Sequence, residues 1–177
     1  MTDEPSKGSD VTIIRPLRPV AVIFALATAV AVFTLDLVIK QQITAILLSV
    51  GGPIEISQFF SLVLGFNRGV SFGLFSSDSA WAPMVLSAVA VVIAGWLALR
   101  LIKTVRIAEA TGLGLIIGGA IANSVDRIAD GSVTDYLDFY IGDLHWPAFN
   151  LADAAIVCGV AIFAYFTALS RNTSSLS

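Results

Sequence analysis

The feature that most constrains this chain is a set of four long apolar runs separated by short polar segments. A helix that crosses a membrane needs about 20 predominantly apolar residues. The runs predict transmembrane helices over about 19–38, 83–103, 110–126 and 151–169. Only 13% of the residues are charged and 56% are hydrophobic, whereas a soluble domain carries about 25% charged residues. The chain is therefore predicted to be mainly α and integral to the membrane, with residues 1–177 forming a single membrane domain.

The ends of the runs carry further information. Residues 1–17 are polar and mixed in charge, which predicts a disordered tail. The first run is predicted to be retained and not cleaved as a signal peptide, because Asp36 and Lys40 stand where a small-residue cleavage site would be expected. The third run is short and rich in glycine, and its Gly114 and Gly118 have the spacing that lets two helices approach closely.

Basic residues predict the orientation of the chain, because Lys and Arg are enriched in cytoplasmic loops. Seven of the ten would lie on one side, namely Lys7, Arg15, Arg18, Arg100, Lys103, Arg106 and Arg171. The other side would hold Lys40, Arg68 and Arg127, together with nearly all the remaining acids. Both termini are therefore expected in the cytoplasm, and any chemistry near the outer face of the membrane.

Two segments on the predicted outer side, about 52–75 and 132–146, favour β-structure. In "PIEISQFFSLVLGF" the apolar residues Ile54, Ile56, Phe60, Leu62, Leu64 and Phe66 share one parity, which is typical of a half-buried strand. "SVTDYLDFYIGDLHWPAFN" is rich in β-branched and aromatic residues and also suits extended structure. The prediction is a small extracytoplasmic sheet that rests on the outer membrane surface above the helix ends.

Several kinds of chemistry are disfavoured by the sequence. A net charge of −3 argues against nucleic acid as a partner. The single histidine, His145, and the lack of a His-Glu-x-x-His motif argue against a zinc peptidase, and His145 is expected to be an interfacial polar residue beside Trp146. No Gly-x-Ser-x-Gly motif is present. The one cysteine, Cys158, lies in an apolar run and is expected to be a buried thiol.

What remains is a convergence of acids on one predicted membrane surface. Asp126 ends the third run, Asp135 and Asp138 follow it, and Asp153 begins the fourth, whereas Asp130 and Asp143 are expected to be solvated loop charges. Two carboxylates that share a site cannot both ionise easily, so one keeps a proton near neutral pH. Such a pair supplies a general base and a general acid.

Structural explanations for the same acids stay open at this point. Asp126 could form an ion pair with its neighbour Arg127 at the end of the helix. Asn150 is the better candidate for the N-cap of the last helix, and Asp153 could then favour the helix dipole or face inward toward Asp135.

Five motifs in order resemble one family. They are "LDLVIK", "NRGVSFGLF", "GGAIANSVDR", "VTDYLDF" and "WPAFNLAD". Together they resemble the bacterial lipoprotein signal peptidase (signal peptidase II) family of aspartic peptidases, over roughly residues 20–169. The chain departs from the family pattern at Leu37, Ser71, Ala122, Tyr136 and Trp146. None of these departures removes a catalytic group.

The resemblance implies that Asp135 and Asp153 are the catalytic pair. It implies substrate-binding or supporting roles for Asn67, Gly69, Asn123, Asp126, Arg127, Asn150, Asp36 and Lys40. By the same resemblance no metal and no cofactor is expected.

The resemblance also implies the substrate and the setting. The family removes signal peptides from diacylglyceryl-modified prolipoproteins, cutting on the amino side of the lipidated cysteine. The expected partners are these prolipoproteins and membrane lipid, and the chain is expected to be a monomer in the bacterial inner membrane. Two other functions stay open on the residues alone. Intramembrane acids also mark a small proton-coupled transporter or channel, and a structural or assembly factor would need no chemistry.

Overall fold

The computed structural model describes residues 17–69 and 81–174. The predicted tail up to residue 16, the stretch 70–75 of the predicted outer β region, and Ser71 lie outside these residues. The elements in chain order are α1 (Leu17–Val50), β1 (Ile54–Ser57), β2 (Phe60–Asn67), α2 (Ala82–Leu101), α3 (Ile107–Asp130), β3 (Val133–Ile141), β4 (Leu144–His145) and α4 (Leu151–Ser174).

The described residues contain four helices that are long and apolar enough to cross a membrane. They also contain one small antiparallel sheet with the strand order β1-β2-β3-β4. The predicted fold class, mainly helical with four spans and a small sheet, is confirmed. The strands follow the C-termini of α1 and α3 and precede α4, so the sheet lies at one end of the helix bundle.

Helix α1 is much longer than the predicted 19–38. It continues to Val50, and its 34 residues correspond to about 51 Å at 1.5 Å per residue. The sequence suggested an end near Asp36 and Lys40 because charged residues usually close a span. Both side chains are instead buried against other helices and pair with each other, so the helix continues past them. Helix α3 likewise exceeds the predicted 110–126 at both ends.

Helix α3 is the centre of the bundle and packs against α1, α2 and α4. Its most apolar stretch is 67% buried, against 17% for α1 and 22% for α2. Its glycines allow this close packing. A Cβ added at Gly118 would lie 2.5 Å from the carbonyl oxygen of Ala29 in α1, and one added at Gly114 would lie 2.4 Å from that of Ala25.

The segment predicted as a single strand over 54–66 is a hairpin. Strands β1 and β2 pair across a turn, with Ser57 opposite Phe60. The expected alternation of burial also fails, because Ser61 is buried while Phe66 is exposed. The turn and an irregular register between Leu62 and Gly65 shift which side chains face inward, since a bulge breaks the period of two.

Cys158 is exposed on α4, contrary to the prediction of a buried thiol. In a membrane protein the apolar faces of the outer helices meet lipid and not a core, so an apolar run does not imply burial. Many large apolar side chains on α1, α2 and α4 are exposed in the same way.

Candidate active site

A short β-bridge brings the two candidate aspartates to the same place. Phe149, just before α4, exchanges backbone hydrogen bonds with Leu137 in β3, with N–O distances of 2.8 and 3.1 Å. This pairing fixes the start of α4 beside the strand that carries Asp135. Asp153 follows in the first turn of α4. The tertiary structure therefore brings the two aspartates together although they are 18 residues apart in the sequence.

Asn150 contacts both aspartates. Its Oδ1 accepts a hydrogen bond from the backbone N–H of Asp153 at 2.9 Å, and the backbone N–H of Asn150 donates to Oδ2 of Asp153 at 3.3 Å. This reciprocal pair is a capping box, and it bears out the N-cap role expected for Asn150. The amide Nδ2 of Asn150 also donates to Oδ1 of Asp135 at 2.8 Å. Asn150 is completely buried, so it links the two carboxylates rigidly.

Each aspartate has one further amide donor. Asn67 Nδ2 donates to Oδ2 of Asp135 at 3.0 Å, and Asn123 Nδ2 donates to Oδ1 of Asp153 at 2.8 Å. The backbone N–H of Gly69 donates to Oδ1 of Asn67 at 3.1 Å, which turns the Asn67 amide nitrogen toward Asp135. The structure thus brings together six of the residues that the resemblance assigned, namely the two aspartates and the supporting residues Asn67, Gly69, Asn123 and Asn150.

A buried ion cluster lies behind Asn123. The Lys40 ammonium contacts Oδ2 of Asp36 at 2.6 Å and Oδ2 of Asp126 at 2.8 Å. Asp36 also accepts a hydrogen bond from the backbone N–H of Ala152 at 2.9 Å, in the first turn of α4. The cluster therefore ties α1, α3 and α4 together next to the aspartate pair. A cavity of about 680 Å³ opens beside it, lined in part by Lys40, Asp126 and Leu37.

Among the described residues, Asp126 forms its ion pair with Lys40 and not with its neighbour Arg127, which the sequence had suggested. Neighbouring residues on a helix point about 100° apart, and Asp126 turns toward Lys40 while Arg127 does not. Arg127 Nη1 lies 3.4 Å from the carbonyl oxygen of Asn123. Its Nε is buried without a hydrogen-bond acceptor among the described residues. A guanidinium N–H close to the pair is thus left unsatisfied.

The chemical character of Asp135 follows from its burial. Only 4% of its surface is exposed, and desolvation, with the nearby charge of Asp153, raises the pKa of Asp135 to about 6. The hydrogen bonds from Asn67 and Asn150 oppose this shift in its pKa. A carboxyl group with such a pKa can exchange a proton near neutral pH, as an acid–base catalyst must.

Tyr136 is a contributor that the sequence identified only as a departure from the family pattern. Its hydroxyl oxygen accepts a hydrogen bond from the backbone N–H of Leu151 at 3.2 Å, so it satisfies a free donor at the start of α4. Burial raises the pKa of Tyr136 to about 12, so the hydroxyl stays protonated. Nothing in the sequence pattern pointed to this contact between β3 and α4.

The other acids on this side behave in two ways. Asp130 and Asp143 are exposed, as expected of solvated charges. Asp138 is buried but has its own partners, since it accepts a hydrogen bond from Ser61 Oγ at 3.1 Å and contacts His145 Nδ1 at 2.9 Å. His145, expected to be an interfacial residue, therefore forms a pair within the sheet. No group of three His, Cys, Asp or Glu side chains in residues 17–69 and 81–174 is arranged to hold a metal ion.

Comparison with known proteins identifies the family to which this chain belongs. The family model described as signal peptidase (SPase) II matches residues 28–169. The chain belongs to the signal peptidase II family. It is therefore a protease, which favours peptide hydrolysis over the transporter and scaffold functions left open by the residues.

Named relatives of the signal peptidase II family support the assignment. A lipoprotein signal peptidase of Azoarcus sp. (strain BH72) is 44% identical over 146 residues, covering 81% of each chain. One of Francisella tularensis subsp. novicida (strain U112) is 37% identical over 162 residues, covering 89% of this chain and 98% of the relative. A solved bacterial membrane enzyme, determined at 2.3 Å by the in meso method, has a TM-score of 0.69 and 25% identity, covering 86% of this chain and 91% of that one.

Proposed function

We propose that this chain removes signal peptides from prolipoproteins, with Asp135 and Asp153 as the catalytic pair. The observation that carries the proposal is the hydrogen bonding of Asn150 to both aspartates in a chain of the signal peptidase II family. A cluster that holds two carboxylates together at a helix start suits acid–base hydrolysis. The substrate follows from the relatives, which are lipoprotein signal peptidases.

The mechanism needs one proton on the pair. One aspartate takes a proton from water while the water oxygen attacks the peptide carbonyl carbon, and the protonated partner donates to the carbonyl oxygen. The tetrahedral intermediate then collapses, the C–N bond breaks, and the proton taken from water passes to the leaving amine. No covalent bond to the enzyme forms. Preorganised donors stabilise the developing charge, and the Nε N–H of Arg127, which has no acceptor among the described residues, is proposed as one of them.

The lipid on the substrate suits the surface of the helices. The diacylglyceryl group carried by the substrate cysteine is apolar, and α1, α2 and α4 expose large apolar side chains on which acyl chains can lie. The cut is proposed on the amino side of that cysteine. The enzyme would act as a monomer in the bacterial inner membrane, with both termini in the cytoplasm and the site near the outer face, as the distribution of basic residues favours.

The test is cleavage of a purified diacylglyceryl-modified prolipoprotein by wild type, Asp135→Asn and Asp153→Asn. Asparagine preserves the shape of each side chain but cannot act as an acid or base. We expect each variant to lose about 100-fold to 10,000-fold in turnover, the usual contribution of such catalysis. Asp143→Asn, which neutralises an exposed acid in the turn between β3 and β4, is the matched control. Near-normal turnover in either aspartate variant would show that this residue is not catalytic. Failure of the wild type to cut would contradict the proposed substrate.

A further inference from the structure

The ammonium group of Lys40 makes one contact that charge balance does not explain. Lys40 is only 5% exposed, and two of its contacts are to the carboxylates of Asp36 and Asp126. The third is to the neutral amide of Asn123, whose Oδ1 lies 3.0 Å from Lys40 Nζ. An ammonium has three N–H donors and no acceptor, so these three contacts use its full capacity.

The contact with Lys40 determines which way the Asn123 amide points. Because Lys40 can only donate, the oxygen of the Asn123 amide must face it, and the amide nitrogen then faces Asp153 at 2.8 Å. A flipped amide would aim its NH₂ at the ammonium and its oxygen at the carboxylate, which gives two repulsive contacts. Asn150 Nδ2 also approaches the Asn123 oxygen, but at a longer 3.2 Å, while the same nitrogen donates to Asp135 at 2.8 Å.

The two aspartates then differ in what stabilises their charge. Asp153 accepts hydrogen bonds from Asn123 Nδ2 and from the backbone N–H of Asn150, and it lies in the first turn of α4, where the helix dipole favours an anion. Asp135 also accepts two hydrogen bonds, from the side-chain amides of Asn67 and Asn150, but it lies on a strand, where no helix dipole adds to them. Burial raises the pKa of Asp135 to about 6. These surroundings favour the negative charge on Asp153 and the proton on Asp135.

The charged groups around the pair come from every element packed against it. They are Asp36 and Lys40 from α1, Asp126 and Arg127 from α3, Asp135 from β3 and Asp153 from α4. Lys40 is the cation in this set that reaches Asp153 through a single hydrogen-bonded side chain.

We propose that Lys40 is a positioning residue that holds the Asn123 amide in the orientation that makes Asp153 the ionised general base and leaves the proton on Asp135, the general acid. The proposal rests on the proposed function, because it assigns roles within the same aspartate pair. Water then loses its proton to Asp153, and Asp135 gives its proton to the carbonyl oxygen of the substrate. As the C–N bond breaks, Asp153 passes its proton to the amine and Asp135 regains one from the intermediate.

The test is a double-mutant cycle on prolipoprotein cleavage with Lys40→Met, Asn123→Ala and the double variant. We expect Lys40→Met to lower kcat at least tenfold while KM changes less than threefold. Because Lys40 acts through Asn123, adding Lys40→Met to Asn123→Ala should change kcat by less than threefold. A purely structural role of Lys40 would instead multiply the two losses, since independent effects on free energy add.

The pH profile of kcat gives a second readout. In Lys40→Met the acidic limb should move to higher pH, because the base loses a donor that stabilises its ionised form. Arg100→Met is the matched control, since it removes the cation of the Arg100–Glu109 pair (3.5 Å) at the other end of α3. Its profile should match wild type.

Folding must be controlled, because Lys40→Met leaves two buried carboxylates without a cation. If that variant does not fold by size-exclusion chromatography and circular dichroism, the cycle is run in an Asp126→Asn background, where one of those charges is absent. Wild-type turnover in folded Lys40→Met, or multiplied losses in the double variant, would overturn the proposal. Asp135→Asn measured alongside separates the failures, because its retained turnover would contradict the proposed function itself, whatever the result for Lys40.

Discussion

At the scale of single residues, the decisive property is how Asp135 holds a proton. The carboxyl is buried in a sheet, and the charge of Asp153 adds to the desolvation that raises its pKa to about 6. Donors on Asn67 and Asn150 stabilise the ionised form and limit that rise. The proton affinity of Asp135 therefore reflects a balance between burial, which raises it, and the two amide hydrogen bonds, which lower it. Removing either amide should change the pKa of Asp135.

The first prediction concerns this balance. The acid must be protonated to act, so kcat/KM of the free enzyme should fall as pH rises through about 6, the pKa of Asp135. Asn67→Ala removes a donor to the ionised form, which raises the pKa of Asp135 further, and the basic limb should move to higher pH. The measurement is kcat/KM between about pH 5 and 9.

Gln58→Ala serves as the control for this shift, since it removes an exposed amide in the turn between β1 and β2 and, like Asn67→Ala, leaves the net charge unchanged. Its basic limb should coincide with that of wild type. A limb that stays in place or moves to lower pH in Asn67→Ala would show that the amide does not stabilise the ionised carboxyl.

At the scale of elements, two devices hold the site together. The close packing of α3 on α1 sets the position of Asn123 and Asp126 relative to Lys40. The capping box at the start of α4 sets the position of Asp153. Both are local features of helices, and each can be tested without touching an aspartate.

Gly118→Ala tests the packing of α3. The added Cβ would lie 2.5 Å from the backbone oxygen of Ala29, so the helices must separate. We expect a lower melting temperature and at least tenfold lower turnover, measured in detergent. Gly95→Ala in α2 is the matched control, because nothing lies within 4 Å of a Cβ at that position. Equal melting temperatures for the two variants would contradict the packing explanation.

Asn150 can be dissected by two substitutions. Asn150→Ser keeps a side-chain oxygen that can cap α4 but loses the amide donor to Asp135, whereas Asn150→Ala loses both. Serine should therefore retain most of the stability, and alanine should cost about 1 kcal/mol more in the free energy of unfolding. Turnover should fall in both. Denaturant unfolding and cleavage kinetics measure the two effects, and equal stability of the variants would remove the cap from the account.

At the scale of the whole molecule, the main consequence is that the sheet and the aspartate pair share one end of the bundle. Strands β1 and β2 follow α1, while β3 and β4 follow α3 and precede α4. The proposed orientation puts this end outside the cytoplasm. The connection between α2 and α3, which carries Lys103, would lie in the cytoplasm.

Cysteine labelling tests that orientation. In a Cys158→Ser background, Asp143→Cys in the turn between β3 and β4 should react with a membrane-impermeant maleimide on intact spheroplasts, because the residue is exposed and proposed to be outside. Lys103→Cys, also exposed, should react only after the membrane is permeabilised. The reverse pattern would contradict the orientation derived from the basic residues.

The spans could be predicted from the sequence because lipid requires long apolar segments. The site residues could be named only through the five motifs. The contacts of each side chain could not be predicted from the sequence. The end of α1 was misplaced because the burial of Asp36 and Lys40 depends on a carboxylate and an amide in α3. The hairpin at Ser57–Phe60 was read as one strand because apolar parity continues across the turn.

The sequence alone was sufficient to predict four segments long and apolar enough to cross a membrane, with most of the acids near one end of them. The composition of each segment fixes its preference for lipid or water, and that preference is local. The contacts of Asn150 with both Asp135 and Asp153, and the contact of Lys40 with Asn123, became visible in the folded structure and not in the sequence. These contacts join residues up to 83 positions apart, and their directions depend on how helices and strands pack, which no local pattern encodes.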